Sequence, residues 1–430
     1  MNKKIKKKIA IGTLGCKVNQ YDSQALGDLL EEKGYELVPF SARADIYIVN
    51  SCAVTDSAIA KSRRKINKAQ KINPKAKIIL SGCWPQTGAK KIPEISVVHG
   101  TKDRKKILEL INDYIEPVQG VSPYESCEKF EEMKIKKFLN RTRVVVKIQD
   151  GCQQFCSYCI IPYARGPLRS RDDKEVVKQI KELVKNGYRE VVLTGIHLGF
   201  YGVGLTKKIN LTDLLGGLVK IDDLKRIRLS SIEINEVTPG LIRLIKKEKK
   251  VCNHLHIPLQ NGSDKVLKLM NRPYKMKKFL ERINEIRGQV PGISITTDVI
   301  VGFPGETESD FKDTYKMCEE INFSKIHVFS FSRRRGTPAY EMLGQIDQET
   351  IARRSKKLRE LSETQEEDYA KKFIGRDLEV LPQRRIKDSK LILGLTDNYL
   401  AVKYDGKVQK KVITVRVNKN DKHNLIGKQV

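Results

Sequence analysis

The sequence predicts an α/β protein in three parts: an N-terminal doubly wound parallel sheet, a central partial (β/α)6 barrel and a C-terminal small all-β barrel. Three observations predict it. Short apolar runs alternate with helix-period segments through about the first hundred residues. The same alternation then repeats with six strand candidates up to about residue 370. The last stretch changes to closely spaced strand-like runs with turn residues between them. A chain of 430 residues has room for such a set of domains, each with its own core.

The elements follow in order. "KIAIG" is a first strand, and "YDSQALGDLLEEKG" has helical spacing with Gly34 to end it. "DIYIVN" is a second strand. "TDSAIAKSRRKINKAQKIN" is a basic helix that opens on capping residues and stops before Pro74. "KIILSG" and "SVVHG" complete a domain over 1–115. Residues 116–141 are highly charged and lack a period, so they read as a linker, with Cys127 incidental. The central domain, 142–370, carries the strands "RVVVKIQ", "EVVLTG", "RIRLSS", "HLHIPLQ", "ISITTDVIVG" and "KIHVFSFS". A basic, Glu-rich helix leads out of it. Residues 371–430 hold "DLEVLP", "KLILGL", "YLAVKY" and "KVITVRV", the runs of a small β-barrel.

Charge narrows the partners. Lys and Arg number 82 against 52 Asp and Glu, a net +30. Such an excess attracts a polyanion, and RNA fits it better than a membrane surface, because no amphipathic anchor is apparent. A lineage-wide lysine bias is the plain alternative. No apolar run approaches the ~18 residues of a membrane span. The "TLGC" at Cys16 imitates a lipoprotein signal, but the residues between Lys8 and Cys16 are too few and include two glycines. The expected location is cytoplasmic.

Nine cysteines make an odd count for a disulfide framework. Cys152, Cys156 and Cys159 form C-x3-C-x2-C just after a barrel strand, where parallel barrels place their chemistry. Three thiolates can hold three irons of a 4Fe–4S cube and leave the fourth open. A zinc site would ask for a fourth protein ligand, and none is adjacent. Cys16, Cys52 and Cys83 each follow a predicted strand of the first domain. In a parallel sheet those ends share one edge. The three thiols therefore converge as a second cluster site, unless they are three separately buried cysteines. Cys252 and Cys318 read as packing residues.

These stretches resemble the radical S-adenosylmethionine (SAM) methylthiotransferases over nearly the whole chain. "LGCKVNQYDS", "NSCAVT" and "SGCWPQ" are similar to their N-terminal module. "GCQQFCSYCIIPYARGPLRSR", "HLHIPLQNGSDKVL", "TDVIVGFPGET" and "FSRRRGTPAYEM" are similar to the radical-SAM module, and "GLTDNYLAVKY" to an RNA-binding TRAM barrel. The resemblance implies two 4Fe–4S clusters and SAM as cofactors. The Cys152/Cys156/Cys159 cluster would cleave SAM to a 5′-deoxyadenosyl radical, and the Cys16/Cys52/Cys83 cluster would carry the sulfur. Trp84-Pro85, "SIEINEV" and "EVLPQRR" depart from the family's usual forms without touching a cysteine.

Within that frame, strand ends are expected to build the SAM pocket. Thr194 and Gly195 approach the methionine amine, and Ser231 and Glu233 offer hydroxyl contacts. Thr296 and Asp298 come from the strand "ISITTDVIVG", Gly302 ends an apolar adenine face, and Tyr158 is the aromatic beside the adenine. His254 and His256 share one strand face, either lining the pocket or as a core pair. Arg165, Arg169, Arg171, Arg333, Arg334 and Arg335 are expected to contact phosphate or a substrate carboxylate. The substrate closest to the motifs is N6-threonylcarbamoyladenosine at tRNA position 37, modified at C2. Isopentenyladenosine in tRNA and a ribosomal-protein aspartate are the alternatives within the family. A non-catalytic iron–sulfur RNA-binding protein is the alternative outside it. An electron donor such as flavodoxin or ferredoxin is implied; oligomeric state is left open.

Overall fold

The computed structural model describes residues 6–88, 95–112, 118–125, 129–138 and 141–430. Cys127 lies outside them. The N-terminal sheet is wholly parallel, with strands β1 (Lys8–Thr13), β2 (Glu36–Leu37), β3 (Ile46–Ser51), β4 (Lys77–Gly82), β5 (Val97–His99) and β6 (Val118–Gly120) in the order β2-β1-β3-β4-β5-β6. Side chains alternate across it. Ile9, Ile48 and Ile79 join a core with Tyr21, Leu26 and Leu30 of the helix Lys17–Glu32. Ala10, Tyr47, Val49 and Leu80 meet Ile66 and Ala69 of the helix Asp56–Ile72 on the other face. Both faces are buried, as a parallel sheet requires. Register pairs Thr13 with Asn50 and Ser51 with Gly82, so the three strands that precede the cysteines end level.

The stretch expected to be a linker is built into the body. It supplies β6, and its residues Met133, Ile135 and Phe138 are buried in the core shared by the first two domains. Its charged residues conceal this, because Glu131 and Glu132 pair with the buried Arg104 and Arg171.

The central domain has β7 (Val144–Lys147), a short antiparallel pair β8 (Gln149–Asp150) and β9 (Arg169–Ser170), then β10 (Glu190–Thr194), β11 (Arg226–Leu229), β12 (His254–His256), β13 (Ser294–Val301) and β14 (Lys325–Ser330). Strands β7, β10 and β11 pair in parallel, as do β12, β13 and β14, and an Ile227–Val251 bridge joins the halves. This is the predicted open, six-stranded partial barrel. The helix Gln348–Lys371 lies along β14, where Ser362 both donates to the Ile326 carbonyl at 3.1 Å and accepts from its amide at 2.9 Å.

The C-terminal unit closes as β15 (Asp377–Arg385), β16 (Leu391–Leu395), β17 (Ala401–Asp405), β19 (Asn424–Gln429) and β18 (Ile413–Asp421). The fifth strand, β19, was not among the sequence runs. The barrel docks against the amino ends of the central strands. Arg228 donates to the carbonyls of Asp397 at 2.7 Å and Thr396 at 2.9 Å, and Arg226 to those of Glu379 at 2.7 Å and Leu395 at 3.0 Å. Buried Glu190 balances both guanidiniums. The opposite, carboxyl edge of the strands is left to the cysteines.

Candidate active site

Gly82 and Gly151 show why the sequence turns sharply before its cysteines. Gly82 has φ +99°, and a Cβ there would run into Asn50 and Ser51. Gly151 has φ +80°, and its Cβ would strike the Pro167 carbonyl. Only glycine holds these conformations without strain. Cys83 follows at once in the short helix Cys83–Gln86, and Cys152 opens the cluster loop.

Cys16, Cys52 and Cys83 come together on the carboxyl edge of the N-terminal sheet. Gly15 abuts Cys52, with the Sγ 3.1 Å from where a Cβ would stand. Cys16 is exposed, while Cys52 and Cys83 are buried. Burial pushes the Cys83 thiol up to about 11, with the neighbouring Cys16 and Cys52 adding to it and Arg165 opposing. Arg165 reaches in from the helix Ile161–Arg165 that follows the other cysteine loop. It is fully buried, yet its Nε has no hydrogen-bond partner.

The second trio repeats the pattern. Cys156 is buried, and Cys152 and Cys159 are half-buried. Burial pushes the Cys159 thiol up to about 12. Arg272 Nη1 donates to Cys156 Sγ at 3.3 Å, and its Nε also lacks a partner. Each trio therefore has one buried guanidinium with an unmet N–H. Grouped thiols beside buried cations fit a metal–sulfur group, whose ligation removes thiol protons and leaves negative charge. Among the described residues no three His, Cys, Asp or Glu side chains are placed to hold a single metal ion.

A cavity of about 210 Å³ lies beside Cys159, lined from both cysteine-bearing domains. Tyr158, Cys159 and Asp298 line it from the central domain, and Val54 and Thr55, just after Cys52, from the N-terminal one. Ile300, Phe329 and Phe331 supply an apolar wall. Of the residues expected at the SAM pocket, Tyr158 and Asp298 are thus brought together. Thr296 instead shares its hydroxyl between His254 Nε2 at 3.0 Å and His256 Nδ1 at 2.9 Å, and His256 continues to Asp298 at 3.2 Å. Glu233 is tied to Arg272. Thr194 is buried at the end of β10, and Gly195 clears the Gln149 side chain. Ser231 is exposed. Gly302, at φ +79°, makes room for Ile351 of the long helix, a packing role.

The arginines expected to face RNA divide. Arg165, Arg169 and Arg171 are buried. Arg165 pairs with Asp22 at 2.9 Å and Asp150 at 3.3 Å, and Arg169 with Asp150 at 3.5 Å and the Arg165 carbonyl at 2.7 Å. Arg171 is held by Glu132 and Gln179. This burial places them inside, not on an RNA-facing rim. Arg334 is also buried and pairs with Asp56 at 3.3 Å, whereas Arg333 and Arg335 are exposed.

Sequence reasoning missed the acids that receive these cations. Asp22 accepts from Lys147 at 2.6 Å and pairs with Arg104 and Arg165, each at 2.9 Å. Asn19 donates to the Leu14 carbonyl at 2.8 Å and the Ser51 carbonyl at 3.0 Å while accepting from Arg165. Tyr21 donates to the Met133 carbonyl at 2.6 Å. The "NQYD" after Cys16 therefore joins the two cysteine-bearing domains. His197 was missed too: its Nδ1 lies 3.4 Å from Cys152 Sγ.

Comparison with known proteins agrees with this geometry. Residues 146–318 match the Radical SAM superfamily, and residues 8–100 match the uncharacterized protein family UPF0004. The chain is 43% identical to the threonylcarbamoyladenosine tRNA methylthiotransferase MtaB of Bacillus subtilis, covering 96% of this chain and 94% of that one. It is 37% identical to the protein of the same name from Thermotoga maritima, over 98% and 96%. A tRNA-2-methylthio-N(6)-dimethylallyladenosine synthase of Clostridium tetani is 35% identical, over 98% and 96%. Among solved structures, the radical S-adenosylmethionine methyltransferase TsrM of Kitasatospora setae, with cobalamin and a [4Fe-4S] cluster bound, shares the fold at TM-score 0.57 and 14% identity, over 78% of this chain and 77% of that one. With one cavity lined from both cysteine-bearing domains and relatives that match the chain over nearly its whole length, the chain belongs to the radical SAM tRNA methylthiotransferase family.

Proposed function

We propose that this enzyme adds a methylthio group to C2 of N6-threonylcarbamoyladenosine at position 37 of tRNA, next to the anticodon. The observation that carries the reading is the shared cavity, where Val54 and Thr55 of one cysteine edge face Tyr158, Cys159 and Asp298 of the other. When bound, 4Fe–4S clusters at the two trios supply reductive SAM cleavage and the sulfur to be transferred. The chain's own residues do the rest. Arg165 and Arg272 set a buried positive charge beside each trio. Tyr158 packs edge-on to Phe303 at 6.5 Å and presents an aromatic wall for an adenine. Asp298 and Gln260 set polar groups beside the apolar wall of Ile300, Phe329 and Phe331, suited to orienting a sugar or an amine.

Exposed Arg333 and Arg335 are the arginines left to meet phosphate or the threonyl carboxylate. Arg384 and Arg385, exposed at the end of β15, extend the positive surface onto the small barrel. A low-potential donor such as flavodoxin or ferredoxin would supply the electrons in the cytoplasm. Among the described residues no helix is long and apolar enough to cross a membrane. Isopentenyladenosine is the second reading, favoured by the Clostridium tetani relative at lower identity. Mass analysis of tRNA nucleosides from a deletion strain separates the two. Loss of 2-methylthio-N6-threonylcarbamoyladenosine supports the assignment, and loss of the methylthio isopentenyl form instead refutes it.

A further inference from the structure

A histidine and an arginine stand against sulfurs of the C-x3-C-x2-C loop, and one short turn stands behind both. His197 Nδ1 lies 3.4 Å from Cys152 Sγ, and Arg272 Nη1 is 3.3 Å from Cys156 Sγ. Glu236 holds His197 at Nε2, and Glu233 holds Arg272 at Nη2. Glu233 caps the single-turn helix Ile234–Glu236, and its amide donates to Glu236 at 3.3 Å. The His197 amide donates to Gln149 Oε1 at 2.7 Å, and its ring packs edge-on to Phe200 at 4.5 Å. Gly199 leaves the space that the Glu236 carboxylate fills.

We propose that the Glu233–Glu236 turn positions His197 and Arg272 as hydrogen-bond donors to Cys152 and Cys156, and that these donors raise the reduction potential of the SAM-cleaving cluster. The proposal rests on the reading that these cysteines hold a cluster. A cluster-bound sulfur only accepts hydrogen bonds, so the Nδ1 that His197 turns toward Cys152 is its donating nitrogen. The reduced cluster carries one more negative charge than the oxidised one. Donors to its sulfurs therefore stabilise it more, which raises the potential. The step is one electron passed from an external reductant, dithionite in the test, with no bond formed or broken.

The test is an EPR-monitored redox titration of the reconstituted full chain, with SAM added to mark the signal that belongs to this cluster. His197→Leu should lower the one-electron equilibrium constant at least tenfold, about 59 mV, at unchanged iron content. His197→Gln, which keeps one N–H, should fall between, and Glu236→Gln should lower the potential without touching the loop. An unmoved midpoint in an iron-replete His197→Leu protein overturns the proposal. If that variant loses its iron, unmoved midpoints in both His197→Gln and Glu236→Gln overturn it instead. A native chain with no SAM-responsive cluster signal overturns the cluster reading itself, a distinguishable result.

Discussion

Asp22→Asn removes the carboxylate that joins the N-terminal sheet to the cluster loop while keeping its shape. The native side chain is 2% exposed and meets Lys147 at 2.6 Å, Arg165 at 2.9 Å and Arg104 at 2.9 Å, all of them buried. Burial alone would raise its pKa, but Arg104, Lys147 and Arg165 outweigh burial and hold the carboxyl below its ordinary range. The amide would leave three buried cations to share Asp150 and Glu131. Breaking a buried pair from one side costs about 3–5 kcal/mol. With a urea slope of about 2 kcal/mol/M, the midpoint should fall by about 1.5–2.5 M. Trp84, the single tryptophan, is buried beside Cys83 and reports the N-terminal unit by fluorescence in the cluster-free chain. The pH dependence has a definite sign. A lowered folded pKa gives stability that is present above the unfolded value, about 3.9, and lost as pH falls through the folded one. The native and Asp22→Asn midpoints should therefore converge below about pH 4. A neutral-pH midpoint within about 0.5 M of native would refute the reasoning.

The other predictions concern the cysteines and the small barrel. Cys16→Ala should lose the sulfur-donating cluster and all methylthiolation yet keep reductive SAM cleavage, read as 5′-deoxyadenosine; loss of that cleavage contradicts the division of labour. Gly151→Ala should cost about 2–5 kcal/mol, from a positive φ and a collision with the Pro167 carbonyl, and should empty the neighbouring cluster of iron. Thermal unfolding and iron analysis check it. Arg228→Ala should loosen the docked barrel by about 3 kcal/mol, since it strips Glu190 and the carbonyls of Thr396 and Asp397 of a shared partner. Hydrogen exchange in β15–β19 should rise, and unchanged protection would count against the docking role. Affinity for tRNA should fall steeply with salt, as phosphate contacts demand, and a flat response would remove RNA as the partner of the +30 charge.

Strand periodicity and level strand ends make the three-part fold and both cysteine trios legible in the sequence. Cys16, Cys52 and Cys83 group together on sequence grounds because each follows a strand of one parallel sheet. The arginines mislead for a physical reason. Charge counts do not register burial, and Arg165, Arg169 and Arg171 look like a basic rim until Asp22 and Asp150 are placed beside them. Those acids are visible in "NQYD" and "IQDGC", as unexplained charges flanking cysteines. The stretch 129–138 is opaque for a related reason: its acids pair with buried arginines, so high charge imitates a linker. His197 carries no periodic signal. A histidine just past a barrel strand end, in "VLTGIH", is the available hint.

The most direct measurement of the central claim uses tRNA from the deletion strain, the reconstituted enzyme, SAM and dithionite. Nucleosides are then resolved by mass after digestion. The account predicts that N6-threonylcarbamoyladenosine converts to its 2-methylthio form while isopentenyladenosine in the same pool stays unchanged. Methylthiolation of the isopentenyl nucleoside instead, or SAM cleavage with no methylthio product on either, would contradict it.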